Sequence, residues 1–130
     1  MEKITCNCSI DGISLEHMVR YGKFDMRVKH FHDEYEIFYI LEGERVFFFN
    51  NRTFTAGKGD LILIDSNLIH MTKSVSNDTS GHNRIIIYVT SEKMNKIDKT
   101  YPSLQLVNFF KKHIVVFHLK HEQQDKFMKL

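Results

Sequence analysis

The chain has 130 residues, 42% of them hydrophobic and 26% charged, with a formal net charge of +2. One domain of that length buries about two-thirds of the surface its unfolded chain exposes, which allows a single real core and excludes disorder as the default. The charge is uneven, with 8 Lys/Arg against 11 Asp/Glu through residue 65 and 10 against 5 beyond it. The later lysines are dispersed, without Arg clusters or interleaved aromatics, which excludes a specific nucleic-acid face on this piece. Cys6 and Cys8 stand too close in sequence for an easy bridge of good geometry, and no second pair of soft ligands follows at zinc-finger spacing. They read as reduced thiols. The start, MEKITCNCSI, lacks the apolar core of a signal peptide, and no run reaches membrane-spanning length. The expected setting is the cytoplasm, with no membrane partner.

In chain order, residues 1–19 alternate weakly and read as an N-terminal arm with one or two short strands. The segment from Phe24 to Phe31 can enter a strand through Met26 and Val28. Glu36 to Leu41 is apolar on both faces apart from Glu36, the pattern of a strand buried on both sides. Glu42-Gly43-Glu44 reads as a turn, with Gly43 free to take positive φ. Arg45 to Asn50 returns antiparallel, Asn50-Asn51-Arg52 turns, and Thr53 to Ala56 leads into a second sharp turn at Gly57-Lys58-Gly59-Asp60. Leu61 to Ile64 is another strand apolar on both faces. Asp65-Ser66-Asn67 turns, and Ile69 to Ser74 pairs onward with His70, Thr72 and Ser74 on one face. Residues Val75 to Asn83 are polar and breaker-rich, a surface loop. Arg84 to Thr90 is one more strand. From Ser91, a plausible N-cap, one or two helical turns are expected, broken at Tyr101-Pro102. Leu104 to Phe110 is helical or irregular, Ile114 to Leu119 is a last strand, and HEQQDKFMKL begins a helix. That helix has no capping end, so the sequence reads as a piece of a longer protein. Short strands every eight to twelve residues predict an all-β sandwich or barrel.

The chemistry concentrates between His30 and Gly43, HFHDEYEIFYILEG, and between Gly59 and His70, GDLILIDSNLIH. In an extended segment His30, His32, Glu36, Phe38 and Ile40 share one face. Two imidazoles and a carboxylate there, facing His70 from a later strand, make either a metal site or the polar floor of a ligand pocket. As ligands, His30, His32, Glu36 and His70 suit Fe, Mn, Ni, Zn or Cu. The alternative is hydrogen bonding among themselves at a barrel mouth. Asp33, Glu34 and Tyr35 read as a solvated loop, and Phe38, Ile40 and Phe48 as core, with Phe38 also able to line a pocket. Tyr88 either offers its hydroxyl to a ligand in the interior or packs in the sheet. His113, His118 and His121 read as surface positions. No nucleophile elbow, phosphate loop or dinucleotide fingerprint is present.

These residues resemble the two motifs of the cupin barrels. The first runs from His30 through Gly43, with Phe24 where its leading Gly would fall. The second matches at Gly59 and His70 and departs at Asp65, Asn67 and Ser74, where cupins usually carry Pro, Gly and Asn. The wording HDEYEIFYILEGE, GDLILI and IH is closer to one branch, and is similar to the N-terminal effector domain of AraC-family transcription regulators over roughly residues 20–120. The resemblance implies a cupin-type double-stranded β-helix barrel with a short helical C-terminal part. It divides the chain into an arm (1–19), an effector-binding barrel (20–119) and the start of a dimerisation helix (120–130). It implies a non-catalytic sensor whose effector, a small metabolite such as a sugar, sits among His30, His32, Glu36, Phe38, His70 and Tyr88. No cofactor is then expected. DNA contact would come only through a C-terminal helix-turn-helix domain outside this chain, and the full-length protein would be a homodimer. The competing expectation is a metal-dependent cupin enzyme, a dioxygenase or isomerase, with one divalent Fe, Mn, Ni or Zn on His30, His32, Glu36 and His70. A stand-alone metabolite- or metal-binding cupin is the third.

Overall fold

A computed structural model describes residues 2–22, 33–49, 52–66, 70–75, 81–112 and 116–130, with the side chains of 2–5 and of 70 outside that description. The chain runs β1 (Glu2–Ile10), β2 (Ile13–Arg20), β3 (Glu34–Glu42), β4 (Arg45–Phe49), β5 (Arg52–Ala56), β6 (Asp60–Ile64), β7 (His70–Ser74) and β8 (His82–Thr90). It continues through α1 (Ser91–Thr100), a 3-10 turn (Pro102–Leu104), α2 (Leu106–Lys112), β9 (Val116–His118) and α3 (His121–Met128). Six strands form one sheet in the order β1-β2-β8-β3-β6-β9, and three form a second in the order β5-β4-β7. All pairings are antiparallel.

Alternation sorts the side chains of the central strands into two apolar layers. Phe38, Ile40, Ile62, Ile64 and Ile86 of the large sheet meet Phe47, Phe49 and Ala56 of the small one, and this cluster fills the barrel interior. The Phe38 ring meets Phe47 edge-on at 5.0 Å between centroids, and Phe47 stacks on Phe49 at 6.1 Å. Residues of opposite parity, Tyr35, Leu63 and Val89, face outward under Met94 of α1 and Phe110 of α2. The doubly apolar runs in β3 and β6 therefore have two layers to bury, one inside the barrel and one beneath the helices.

Several details differ from the sequence reading. Tyr35 belongs to β3 and is buried, 4% exposed, with its ring edge-on to Phe110 at 5.0 Å. The strand starts earlier than a solvated loop would allow because Tyr35 has the outward parity that α2 covers. β1 and β2 are nine and eight residues long and pair with each other, and β2 continues the large sheet onto β8. β8 begins at His82, so its first residues come from what reads as loop. The cap of α1 is Thr90, whose Oγ1 accepts from the Lys93 N–H at 3.1 Å, while Ser91 Oγ donates to Asp33 Oδ1 at 2.6 Å. α1 is ten residues, longer than two turns. Phe48 is only half-buried on the outward face of β4, where the Lys73 ammonium lies 5.5 Å from its ring centre. The expected strand entry at Phe24–Phe31 and the turn residues Asn50 and Asn51 lie outside the described residues.

The C-terminal helix folds back on the barrel. The Lys120 N–H donates to Gln123 Oε1 at 2.8 Å, and Gln124 Nε2 donates to the Leu119 carbonyl at 2.9 Å. Phe127 packs on Tyr39 at 4.5 Å, whereas Met128 and Leu130 remain exposed. No helix among the described residues is long and apolar enough to cross a membrane.

Candidate ligand-binding site

Of the residues singled out in the sequence, the structure brings Glu36, Phe38 and Tyr88 together. Glu36 in β3 pairs with Tyr88 in β8 on one side and with Ile64 in β6 on the other. All three have interior parity. Glu36 is 3% exposed, and Tyr88 packs against the interior cluster to which Phe38 and Ile64 belong. Burial, then the carboxylate charge of Glu36, push the Tyr88 phenol well above its ordinary value, while Arg84 partly opposes the rise. The phenol is neutral near pH 7, as ordinary phenols are, and can donate one hydrogen bond beside the Glu36 carboxyl. His30 and His32 lie outside the described residues. His70 opens β7, where its backbone pairs with Phe49.

Polar groups at the other end of the barrel are ones the sequence reading passed over. β4 follows β3 through a two-residue turn, so Arg45 lies at the Glu42 end and Phe49 toward the Glu36 end. Arg45 is fully buried. Its Nη2 donates to Thr72 Oγ1 at 2.8 Å and its Nη1 to Ser74 Oγ at 3.1 Å. Arg84 is 6% exposed, pairs with Glu16 at 2.7 Å and lies with its guanidinium 5.9 Å from the Phe38 ring centre. His82 is buried at the same end. Parity could have found them: Arg45 shares its face with Phe47 and Phe49, and Arg84 with Ile86 and Tyr88. Arg45 thus anchors the Glu42 end of the interior, while the Arg84 guanidinium reaches over Phe38 to within electrostatic range of Tyr88.

A metal could use the Glu36 carboxylate, which is buried and faces inward. Among the described residues no three His, Cys, Asp or Glu side chains gather at metal-binding distance. Of the later histidines, His118 is an exposed partner of Asp60 at 2.7 Å and His121 is exposed, as expected, while His113 lies outside the described residues.

Comparison with known proteins agrees with this fold. The model of the AraC-like ligand binding domain matches residues 18–121. No curated protein matches the chain. Among solved structures, an RmlC-like cupin family protein with a double-stranded β-helix fold from Methanocaldococcus jannaschii is similar with a TM-score of 0.61 at 13% identity, covering 73% of this chain and 86% of that one. The Cnp3 cupin domain of Schizosaccharomyces pombe is similar with a TM-score of 0.61 at 15% identity, over 75% and 71%. A single-substitution variant of the oxalate decarboxylase of Bacillus subtilis matches with a TM-score of 0.50 at 23% identity, over 61% of this chain and 21% of that one. At these identities the likeness establishes the fold, a cupin double-stranded β-helix.

Proposed function

Because the chain belongs to the family of AraC-like ligand binding domains, we propose that it senses a small polyhydroxylated metabolite, of the sugar class, at the Glu36 end of the barrel, without catalysing its conversion. The observation that carries this reading is the Glu36–Tyr88 pair, a buried carboxyl beside a partly buried phenol, seated on the Phe38 edge of a packed interior. A carboxylate has room for several hydrogen bonds from hydroxyls, and a neutral phenol supplies a donor next to it. Phe38 offers an apolar face for the carbon side of a sugar ring. His30, His32 and His70 complete the proposed site on sequence grounds. Saturation-transfer NMR of the chain with a panel of aldopentoses and aldohexoses tests the class. A hit that Glu36→Gln abolishes supports it, and silence across the panel at millimolar concentration refutes the sugar assignment.

Regulation would follow if the ligand binds one arrangement of the domain and its partners more tightly than another. We assign DNA contact to a separate helix-turn-helix domain of the full-length protein, and dimerisation to the helix that starts at His121, because Met128 and Leu130 are exposed beyond the turn that Phe127 buries on Tyr39. A full-length protein that sediments as a monomer at micromolar concentration, with and without DNA, would rule this out. The competing enzyme reading is favoured by one observation, the inward-facing Glu36 carboxylate at a cupin motif position. Near one Fe, Mn, Ni or Zn per purified chain, removed by His70→Ala, would favour it over a metal-free sensor.

A further inference from the structure

Cys6 and Cys8 occupy alternate positions of β1, so they share one face of that strand. β1 is an edge of the large sheet, bonded to β2. Cys6 pairs with His17 and Cys8 with Leu15, just beyond an irregularity in register between Ile4 and Cys6. Both cysteines are free and exposed. Their thiols therefore project from the same side of the strand, separated by the single residue Asn7. The strand thus presents two soft donors, side by side and open to solvent.

Strand geometry decides what such a pair can do. Alternate residues on one strand face are about 6.6 Å apart, from a rise of about 3.3 Å each. A disulfide needs Cβ atoms about 3.8 Å apart. Closing one would require the backbone of β1 to buckle out of its pairing with β2. A metal ion relaxes that demand. Two thiolate–metal bonds of about 2.3 Å separate the sulfurs by about 4.6 Å in a linear arrangement, against the roughly 2 Å of a disulfide. Donor number also selects the ion. No third His, Cys, Asp or Glu among the described residues stands with the two thiols at metal-binding distance, and His17 Nε2 is already engaged with Asn83 Oδ1 at 2.6 Å. Zinc at a structural site asks for four ligands, whereas thiolate ligands favour Cu(I) among the first-row metals.

We propose that Cys6 and Cys8 form a surface site for a soft, two-coordinate d10 cation, Cu(I) being the first-row member of the class. The ion binds as two thiols each lose a proton, so affinity rises with pH. The site is independent of the sugar reading, because β1 lies at the sheet edge and Glu36 in the interior.

The test titrates the 130-residue chain anaerobically with Cu(I) against bathocuproine disulfonate. The expected result is one Cu(I) per chain. Cys6→Ser and Cys8→Ser should each weaken binding by more than tenfold, since either change converts a chelate into a single ligand. His17→Gln should alter affinity less than threefold. Serine at these exposed positions should leave the circular dichroism spectrum unchanged, so lost binding cannot be lost fold. Two Cu(I) per chain, single variants within tenfold of the parent, or a double variant that still binds would overturn the proposal.

Discussion

Replacing Phe47 by Ala tests whether the middle of the barrel is solid. Phe47 is fully buried at the centre of the interior cluster. Phe→Ala in a core costs about 3–5 kcal/mol, and the cost is larger where the surroundings cannot collapse. Collapse is hindered here because β4 is held on both sides, by β5 and by β7. Two ring contacts are lost as well, with Phe38 at 5.0 Å and Phe49 at 6.1 Å, each aromatic pair contributing about 0.5–1.5 kcal/mol beyond area. The expected loss is therefore at least about 4 kcal/mol, a large part of the roughly 5–15 kcal/mol that holds a domain folded. Urea unfolding followed by circular dichroism measures it as a lower midpoint at unchanged slope. A loss under about 1 kcal/mol would refute the reasoning, since core truncations of this kind cost several times more. It would mean that Phe47 has no close neighbours to lose and that the interior is open space, which would move the ligand site to the barrel centre.

Gly43→Ala should destabilise the chain well beyond an ordinary turn substitution. Gly43 has φ +89°, where an L side chain costs about 1–2 kcal/mol, and the new Cβ would stand 2.6 Å from the Gly81 carbonyl oxygen, which is backbone and cannot swing away; a midpoint within error of the parent contradicts this. Alkaline titration probes Tyr88. Its folded pKa is raised, so its contribution to stability is complete below the unfolded value of about 10 and is lost as pH climbs toward the folded value, by at most about 1.4 kcal/mol per pH unit. Unfolding measured from about pH 9 to 11.5, across the unfolded tyrosine value, should show a shallower decline in Tyr88→Phe, and parallel curves would contradict the assignment. Arg45→Met should cost about 1–3 kcal/mol despite the gain in hydrophobicity, because Thr72 Oγ1 loses its donor in a buried setting. A neutral result in the same urea assay would show that the hydroxyl finds another partner.

The sequence carried the barrel because its two central strands are apolar on both faces, and such strands need a layer on each side. It carried Glu36 and Tyr88 as candidates, and antiparallel register then made them direct neighbours, which no local pattern could reveal. Arg45 and Arg84 were missed because a charge at the start of a strand looks like a solvated end. Their burial depends on Thr72, Ser74 and Glu16, which come from other strands. Tyr35 was misread for a similar reason: its cover is Phe110, 75 residues later in the chain. Of the apolar stripe in the last helix, Phe127 packs on Tyr39 of its own barrel, a contact across nearly ninety residues of chain, while Leu130 is exposed.

The sensor reading puts effector at the Glu36–Tyr88 end of the barrel. Calorimetric titration of the chain with whichever aldose of the panel binds, repeated on Glu36→Gln and on Glu92→Gln as an exposed control, tests it most directly. Glu36→Gln should raise Kd by about tenfold or more, equivalent to one charge-assisted hydrogen bond of about 1.5–3 kcal/mol, while the control stays within about twofold. Equal affinity in Glu36→Gln and the parent, with both folded, would contradict it.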